Sequence, residues 1–299
     1  MRTQFTGVGT ALITPFTRGG VVDEAGVKRL ARRQINGGVH FLVPCGTTGE
    51  SPTLSVEEKR RVVELVVEEA DGKVPVLAGA GGYDTREVIH AAAEMQKAGA
   101  TGLLSVTPYY NRPTQEGLFQ HYKAIADSTP LPIVLYNVPG RTGCNIEPAT
   151  VARLATIKNI VGVKEASGNM TQMAEACRAV PDNFVVVSGD DALTVPLMAI
   201  GGRGIISVAS NEIPSEMAQM VEAAERGDFA AARAIHHKLL PMLLVNFVES
   251  SPGPVKFAMS AMGLCEEIYR LPMVPIKDAS KQKILVAMRE LGLPVAAHA

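Results

Sequence analysis

Lys164 stands in the run VGVKEAS (161–167), where an apolar stretch ends on an ammonium. Desolvation lowers the pKa of a lysine, and a neutral amine is the nucleophile that attacks a ketone and forms an imine. On its own, the same residue reads more readily as a snorkelling lysine paired with the adjacent Glu165. Tyr136 ends the preceding apolar run, where its phenol is placed to shuttle protons during imine formation or to serve as a buried structural tyrosine. Gly46-Thr47-Thr48-Gly49-Glu50 offers backbone N–H groups and hydroxyls that suit a carboxylate, though glycine and threonine are also ordinary turn residues. Arg141, in Pro139-Gly140-Arg141-Thr142-Gly143, carries a planar fork suited to a second carboxylate, or is a solvated loop charge. Tyr109-Tyr110-Asn111 is a further polar cluster directly after an apolar run.

These groups need a scaffold that brings strand ends together. Eight short apolar, β-branched runs recur at intervals of about 25 to 35 residues, the size of a βα unit. They are residues 7–16, 40–46, 74–81, 102–108, 132–139, 160–167, 184–190 and 204–210. Their continuous apolar character fits parallel strands covered on both faces. Helical patterns lie between them, as from Ser55, where Ser55 and Glu58 have capping-box spacing. Glycines such as Gly72 and Gly99 mark the returns. This pattern predicts an α/β protein, a (β/α)8 TIM barrel over residues 1–226, with a doubly wound open sheet as the minority reading. From 227 to 299 the strand signal stops, which predicts a C-terminal helical domain. In such a barrel reactive residues occupy the carboxyl ends of strands, where Lys164, Tyr136, Thr47 and Tyr110 fall.

Other chemistries fit poorly. Lysine plus arginine (29) nearly balance aspartate plus glutamate (30), without the dense basic runs of a nucleic-acid or membrane-surface patch. No apolar run approaches the roughly 20 residues of a membrane span. The four cysteines show no CxxC spacing, so reduced thiols and a cytoplasmic location are expected. The six histidines form no HExxH grouping, and His236 and His237 are neighbours that point apart on a helix. Neither a metal site nor a cofactor is predicted. Gly201-Gly202-Arg203-Gly204 precedes the eighth strand and reads as a turn on the bottom face rather than a phosphate cradle.

Six segments, GTTGES (46–51), VTPYYNRPTQEGL (106–118), LYNVPGRTG (135–143), VGVKEASGN (161–169), SGDDA (188–192) and GIISV (204–208), resemble the dihydrodipicolinate synthase family. The resemblance extends through SPGPVKFAMSAMGL and RLPMVPI near the C-terminus. It implies that Lys164 forms an imine with pyruvate, whose enamine attacks L-aspartate 4-semialdehyde. Cyclisation then releases 4-hydroxy-tetrahydrodipicolinate on the diaminopimelate route to lysine. It also implies a proton relay of Tyr136, Thr47 and Tyr110, with Tyr110 lent by a second subunit of a homotetramer built from two tight dimers. Thr48 matches the pyruvate-carboxylate residue, Arg141 the semialdehyde-carboxylate residue, and Ile206 the residue whose backbone carbonyl lies near the site; Gly189 is placed among the substrate-binding residues. N-acetylneuraminate lyase and 2-keto-3-deoxy sugar-acid aldolases share the strand-end lysine and tyrosine, but Arg141 and TPYYNRP favour the synthase. A non-catalytic keto-acid-binding barrel remains the reading from another class. Ser51, Glu87 and Tyr109 match the cavity in which feedback-sensitive members bind lysine. Val56 and Lys59 stand where those members carry histidines, and Tyr83 replaces an asparagine, which predicts weak lysine inhibition.

Overall fold

Proline cuts the apolar runs down to strands, because it brings no N–H to a ladder. Pro44 follows the second strand directly, and Pro132 precedes the fifth. The computed structural model describes residues 4–296. Its strands are β1 (Gly7–Ala11), β2 (Phe41–Val43), β3 (Leu77–Gly79), β4 (Gly102–Val106), β5 (Ile133–Asn137), β6 (Ile160–Glu165), β7 (Val185–Ser188) and β8 (Gly204–Ser207). All eight predicted strands are present, each shorter than its apolar run.

Every strand pairing is parallel, in the order β2-β1-β8-β7-β6-β5-β4-β3. A parallel bridge between Leu42 and Val76 joins the two ends, so the sheet closes into a barrel. The closing seam also holds the Gly79 N–H on the Pro44 carbonyl at 2.9 Å.

The outer ring starts with α1 (Glu24–Asn36), α2 (Val56–Ala70), α3 (Thr85–Lys97) and α4 (Gln115–Ser128). A short α5 (Pro139–Thr142) precedes α6 (Pro148–Leu154), followed by α7 (Met170–Ala179), α8 (Thr194–Ala199) and α9 (Pro214–Glu225). The capping box predicted for α2 is present, with Ser55 accepting from the Glu58 N–H and Glu58 accepting from the Ser55 N–H. Gly72 and Gly99 adopt positive φ at the returns after α2 and α3.

Two apolar cores follow from this layering. Phe5, Phe41, Leu77, Leu104, Val134, Val187 and Ile206 fill the barrel interior, and a larger cluster lies between strands and helices. Phe5 and Phe41 meet edge to face with ring centroids 5.7 Å apart.

Beyond the barrel lie α10 (Phe229–Val245), α11 (Gly253–Ala261) and α12 (Asp278–Glu290). Among the described residues this region carries no strand, as the sequence pattern predicts. The Gly201–Gly204 segment is the turn that leads into β8, with Gly201 and Gly204 both at positive φ. Among the described residues, no helix is long and apolar enough to cross a membrane.

Candidate active site

Parallel pairing fixes the centre of the site. Tyr136 on β5 pairs directly with Lys164 on β6, so both side chains project to the same face, the barrel interior. Lys164 is 5% exposed, and its Nζ lies 4.2 Å from the centroid of the Tyr136 ring. The amine therefore rests on the aromatic face. Among the described residues, no carboxylate lies within ion-pair distance of it.

The pairing of Lys164 with Glu165 considered from the sequence does not form. Successive strand residues point to opposite faces, so Glu165 turns away toward the helices. There its carboxylate accepts from the Ser167 N–H (2.7 Å), Asn137 Nδ2 (2.9 Å) and Gln172 Nε2 (3.2 Å). Asn145 joins the cluster through Asn137 and Gln172. This network ties β5, β6 and α7 together behind Tyr136 and Lys164. The sequence reading missed Asn137, Asn145 and Gln172 altogether; strand alternation beside Lys164 is the signal that points to Asn137 and Glu165.

A cavity of about 300 Å³ opens at the carboxyl ends of the strands. Thr47, Tyr136 and Arg141 line it together, and Lys59, Ser51 and Tyr109 form part of the same wall. Thr47 and Thr48 sit in a tight turn after β2, where Gly46 accepts from the Gly49 N–H (3.1 Å) and Thr47 from the Glu50 N–H (3.1 Å). Among the described residues, the Thr47 and Thr48 N–H groups have no acceptor, which leaves donors available for an anion. Close approach of the turn to β3 requires Gly79, since a Cβ there would lie 2.0 Å from the Cys45 carbonyl oxygen.

Arg141 is an exposed guanidinium on α5, donating one N–H to the Ser251 carbonyl at 3.3 Å. No carboxylate among the described residues neutralises it. Ile206 is fully buried in the interior cluster that contains Tyr136. Gly189 packs on Lys164 itself: a Cβ there would meet Lys164 Cε at 2.9 Å and Ala166 Cβ at 2.6 Å. Its visible role is to make room for the lysine stem.

Tyr110 is not brought into this cavity. It is 92% exposed, at φ 70°, in a loop fixed by Asn111 Nδ2 on the Tyr83 carbonyl and Arg112 Nε on the Gly143 carbonyl. A left-handed, bulky residue costs about 1–3 kcal/mol unless its surroundings enforce it. Here two anchored neighbours hold the phenol out into solvent.

At the β7–β8 corner, Asp191 is fully buried and accepts from Ser207 Oγ and from the Val208 and Ala209 N–H groups. Burial pushes its carboxyl up to about 6 despite those donors. Among the described residues, no group of histidine, cysteine, aspartate and glutamate has the arrangement of a metal site.

A closed parallel barrel with a buried strand-end lysine that has no carboxylate beside it among the described residues, and an adjacent tyrosine, is the architecture of a lyase of the imine-forming kind. The Dihydrodipicolinate synthetase family model matches residues 4–291, and the chain belongs to that family. It is 50% identical to the 4-hydroxy-tetrahydrodipicolinate synthase of Koribacter versatilis (strain Ellin345) over 288 residues, 96% of each chain. The solved dihydrodipicolinate synthase of Cyanidioschyzon merolae with lysine bound superposes with a TM-score of 0.95 at 41% identity, covering 98% of this chain and 100% of that one. A monomeric dihydrodipicolinate synthase variant superposes equally well, with a TM-score of 0.95 at 44% identity over 97% of this chain and 98% of its own.

Gly189→Ala tests the packing around the amine. The added methyl forces Lys164 or Ala166 to shift, and small displacements of a reacting group cost up to about a hundredfold. Borohydride trapping of pyruvate should slow by about ten- to a hundredfold while the thermal transition changes little; an unchanged trapping rate would show that the lysine stem yields freely.

Proposed function

We infer that this chain is a 4-hydroxy-tetrahydrodipicolinate synthase that condenses pyruvate with L-aspartate 4-semialdehyde. The observation that carries this reading is the Lys164 amine, buried against the ring of Tyr136 with no carboxylate beside it among the described residues, Tyr136 in turn lining a cavity shared with Thr47 and Arg141. Lys164 attacks the pyruvate carbonyl and loses water to give the imine. Loss of a methyl proton gives the enamine, whose carbon bonds to the semialdehyde aldehyde. The substrate's own amine then displaces Lys164 as the ring closes, regenerating the free lysine.

The other roles follow from what each side chain offers. The unspent N–H groups and hydroxyls of Thr47 and Thr48 hold the pyruvate carboxylate, while Thr47 and Tyr136 pass protons to and from the carbonyl oxygen. Arg141, with a bidentate fork and no internal carboxylate, takes the carboxylate of the semialdehyde. A pocket for sugar acids needs hydroxyl partners in place of that second cation, which disfavours the related sugar-acid lyases. Gly189 and Ile206 shape the floor.

Incubation with pyruvate and borohydride tests this reading. A covalent adduct should appear on Lys164 by intact mass and peptide mapping; its absence, or an adduct on a different lysine, removes the imine mechanism.

Tyr110 completes the relay from a second copy of the chain, in a homo-oligomer built as a dimer of dimers. Its 92% exposure and enforced left-handed backbone support this assignment. Tyr110→Phe should lower turnover by about a hundredfold, the scale of a lost proton-transfer group, without unfolding the protein. Sedimentation at assay concentration should show a dimer or larger; full activity in a monomeric species contradicts the assignment.

Free lysine is expected to inhibit weakly or not at all. Val56 and Tyr83 are exposed, Tyr83 packs edge to face on Tyr109 with ring centroids 5.1 Å apart, and Lys59 places a cation on the cavity wall. Val56 offers a ligand no polar partner, Tyr83 adds bulk, and Lys59 repels an ammonium. A buried polar group left unpaired costs about 1–3 kcal/mol, so two such losses weaken binding by about tens to thousands of fold. Half-inhibition by submillimolar lysine at saturating pyruvate would show that the altered cavity still works.

A further inference from the structure

The turn that holds Thr47 and Thr48 is strained at both ends. Cys45 and Glu50 have φ of 57° and 53°, left-handed values that non-glycine residues avoid. Such a conformation persists only where its surroundings over-determine it. At the Glu50 end two constraints meet: Thr14 Oγ1, from the loop after β1, donates to the Gly49 carbonyl at 2.7 Å. The second comes from the far end of the chain.

Glu50 accepts from Lys256 Nζ on α11 at 2.5 Å, with the two side chains 2% and 0% exposed. Its second oxygen accepts the Arg270 N–H at 3.2 Å. The Lys256 ammonium lies 4.1 Å from the Phe16 ring centroid and 5.4 Å from that of Tyr269. Glu50 is three residues from Thr47 and two from Thr48, and its own N–H closes the turn on the Thr47 carbonyl. A fully buried ion pair is a weak source of stability, since an apolar pair of the same shape does as well. Its geometric demand is strict, because neither charge tolerates leaving the other.

We propose that the Glu50–Lys256 ion pair is a positioning device for the pyruvate-binding turn, by which α11 sets where the Thr47 and Thr48 donors stand. The proposal rests on the assignment of that turn to pyruvate. Tyr136 and Lys164 belong to β5 and β6, which the Glu165 network fastens independently of the turn, so loosening the turn weakens pyruvate binding without abolishing imine formation.

The double variant Glu50→Gln/Lys256→Met removes both charges together and leaves neither uncompensated. It should fold, raise the pyruvate KM by about ten- to a hundredfold, and still give the Lys164 adduct with borohydride at saturating pyruvate. Glu50→Asp, which keeps the charge but draws it back by one methylene, should raise the pyruvate KM in the same direction. A pyruvate KM within twofold of the unaltered protein in either folded variant overturns the proposal, whatever happens to the thermal transition, and leaves the pair a structural feature alone. Absence of an adduct on the unaltered protein refutes the imine chemistry itself, an outcome distinct from either.

Discussion

A lysine side chain that is 5% exposed and has no carboxylate beside it is an expensive thing to keep. A fold that needed only stability would pair Lys164 or expose it. Here the strand alternation that directs Lys164 inward sends Glu165 outward, and Asn137, Gln172 and the Ser167 N–H saturate that carboxylate on the far side of the sheet. The acid nearest in sequence is thereby kept from quenching the amine. The ring of Tyr136 takes the carboxylate's place as the contact of the amine, and a quadrupole offers far less compensation than a charge.

The barrel serves that arrangement through register. Pairing of Tyr136 with Lys164 depends on β5 and β6 meeting without slippage at their carboxyl ends, while the one register shift between them lies at Ile133/Val134, at the opposite end. The outward network of Glu165, Asn137, Asn145 and Gln172 pins the same two ends. Directly after the neighbouring β7, Gly189 withholds a side chain where one would strike the lysine stem. Asp191, two residues further on, fastens the β7 loop to the start of the β8 loop through Ser207, Val208 and Ala209.

Much of this was legible in the sequence, for definite reasons. Continuous apolar runs separated by helix-length patterns report parallel strands buried on both faces, and in a closed parallel barrel all carboxyl ends converge, which picked out Lys164, Tyr136, Thr47 and Arg141. Five of the runs contain a proline, near which the chain leaves the strand, while the runs at 160–167, 184–190 and 204–210 pass into loops without one. What stayed hidden has two causes. Glu165 was weighed as a partner by sequence proximity, whereas alternation puts it on the other face. Glu50 and Lys256 are 206 residues apart, and no periodicity links positions so distant. Tyr110, which the family resemblance assigns to a neighbouring subunit's relay, stands 92% exposed in this chain.

The helices after the barrel are joined to its mouth by more than packing. Arg270 donates to both oxygens of Glu58, at 2.6 and 2.7 Å, and to the Thr53 carbonyl at 2.9 Å, while its backbone N–H meets Glu50. Glu58 is the same residue that closes the capping box at the start of α2. That guanidinium lowers the pKa of the Glu58 carboxyl, favouring its charged form. One segment near residue 270 therefore grips the strained turn at Glu50, the chain leaving it at Thr53, and the helix it leads into. A barrel built only for closure needs none of these contacts. They fit the proposal that the Thr47 and Thr48 donors are held in place from α11 and the segment near residue 270.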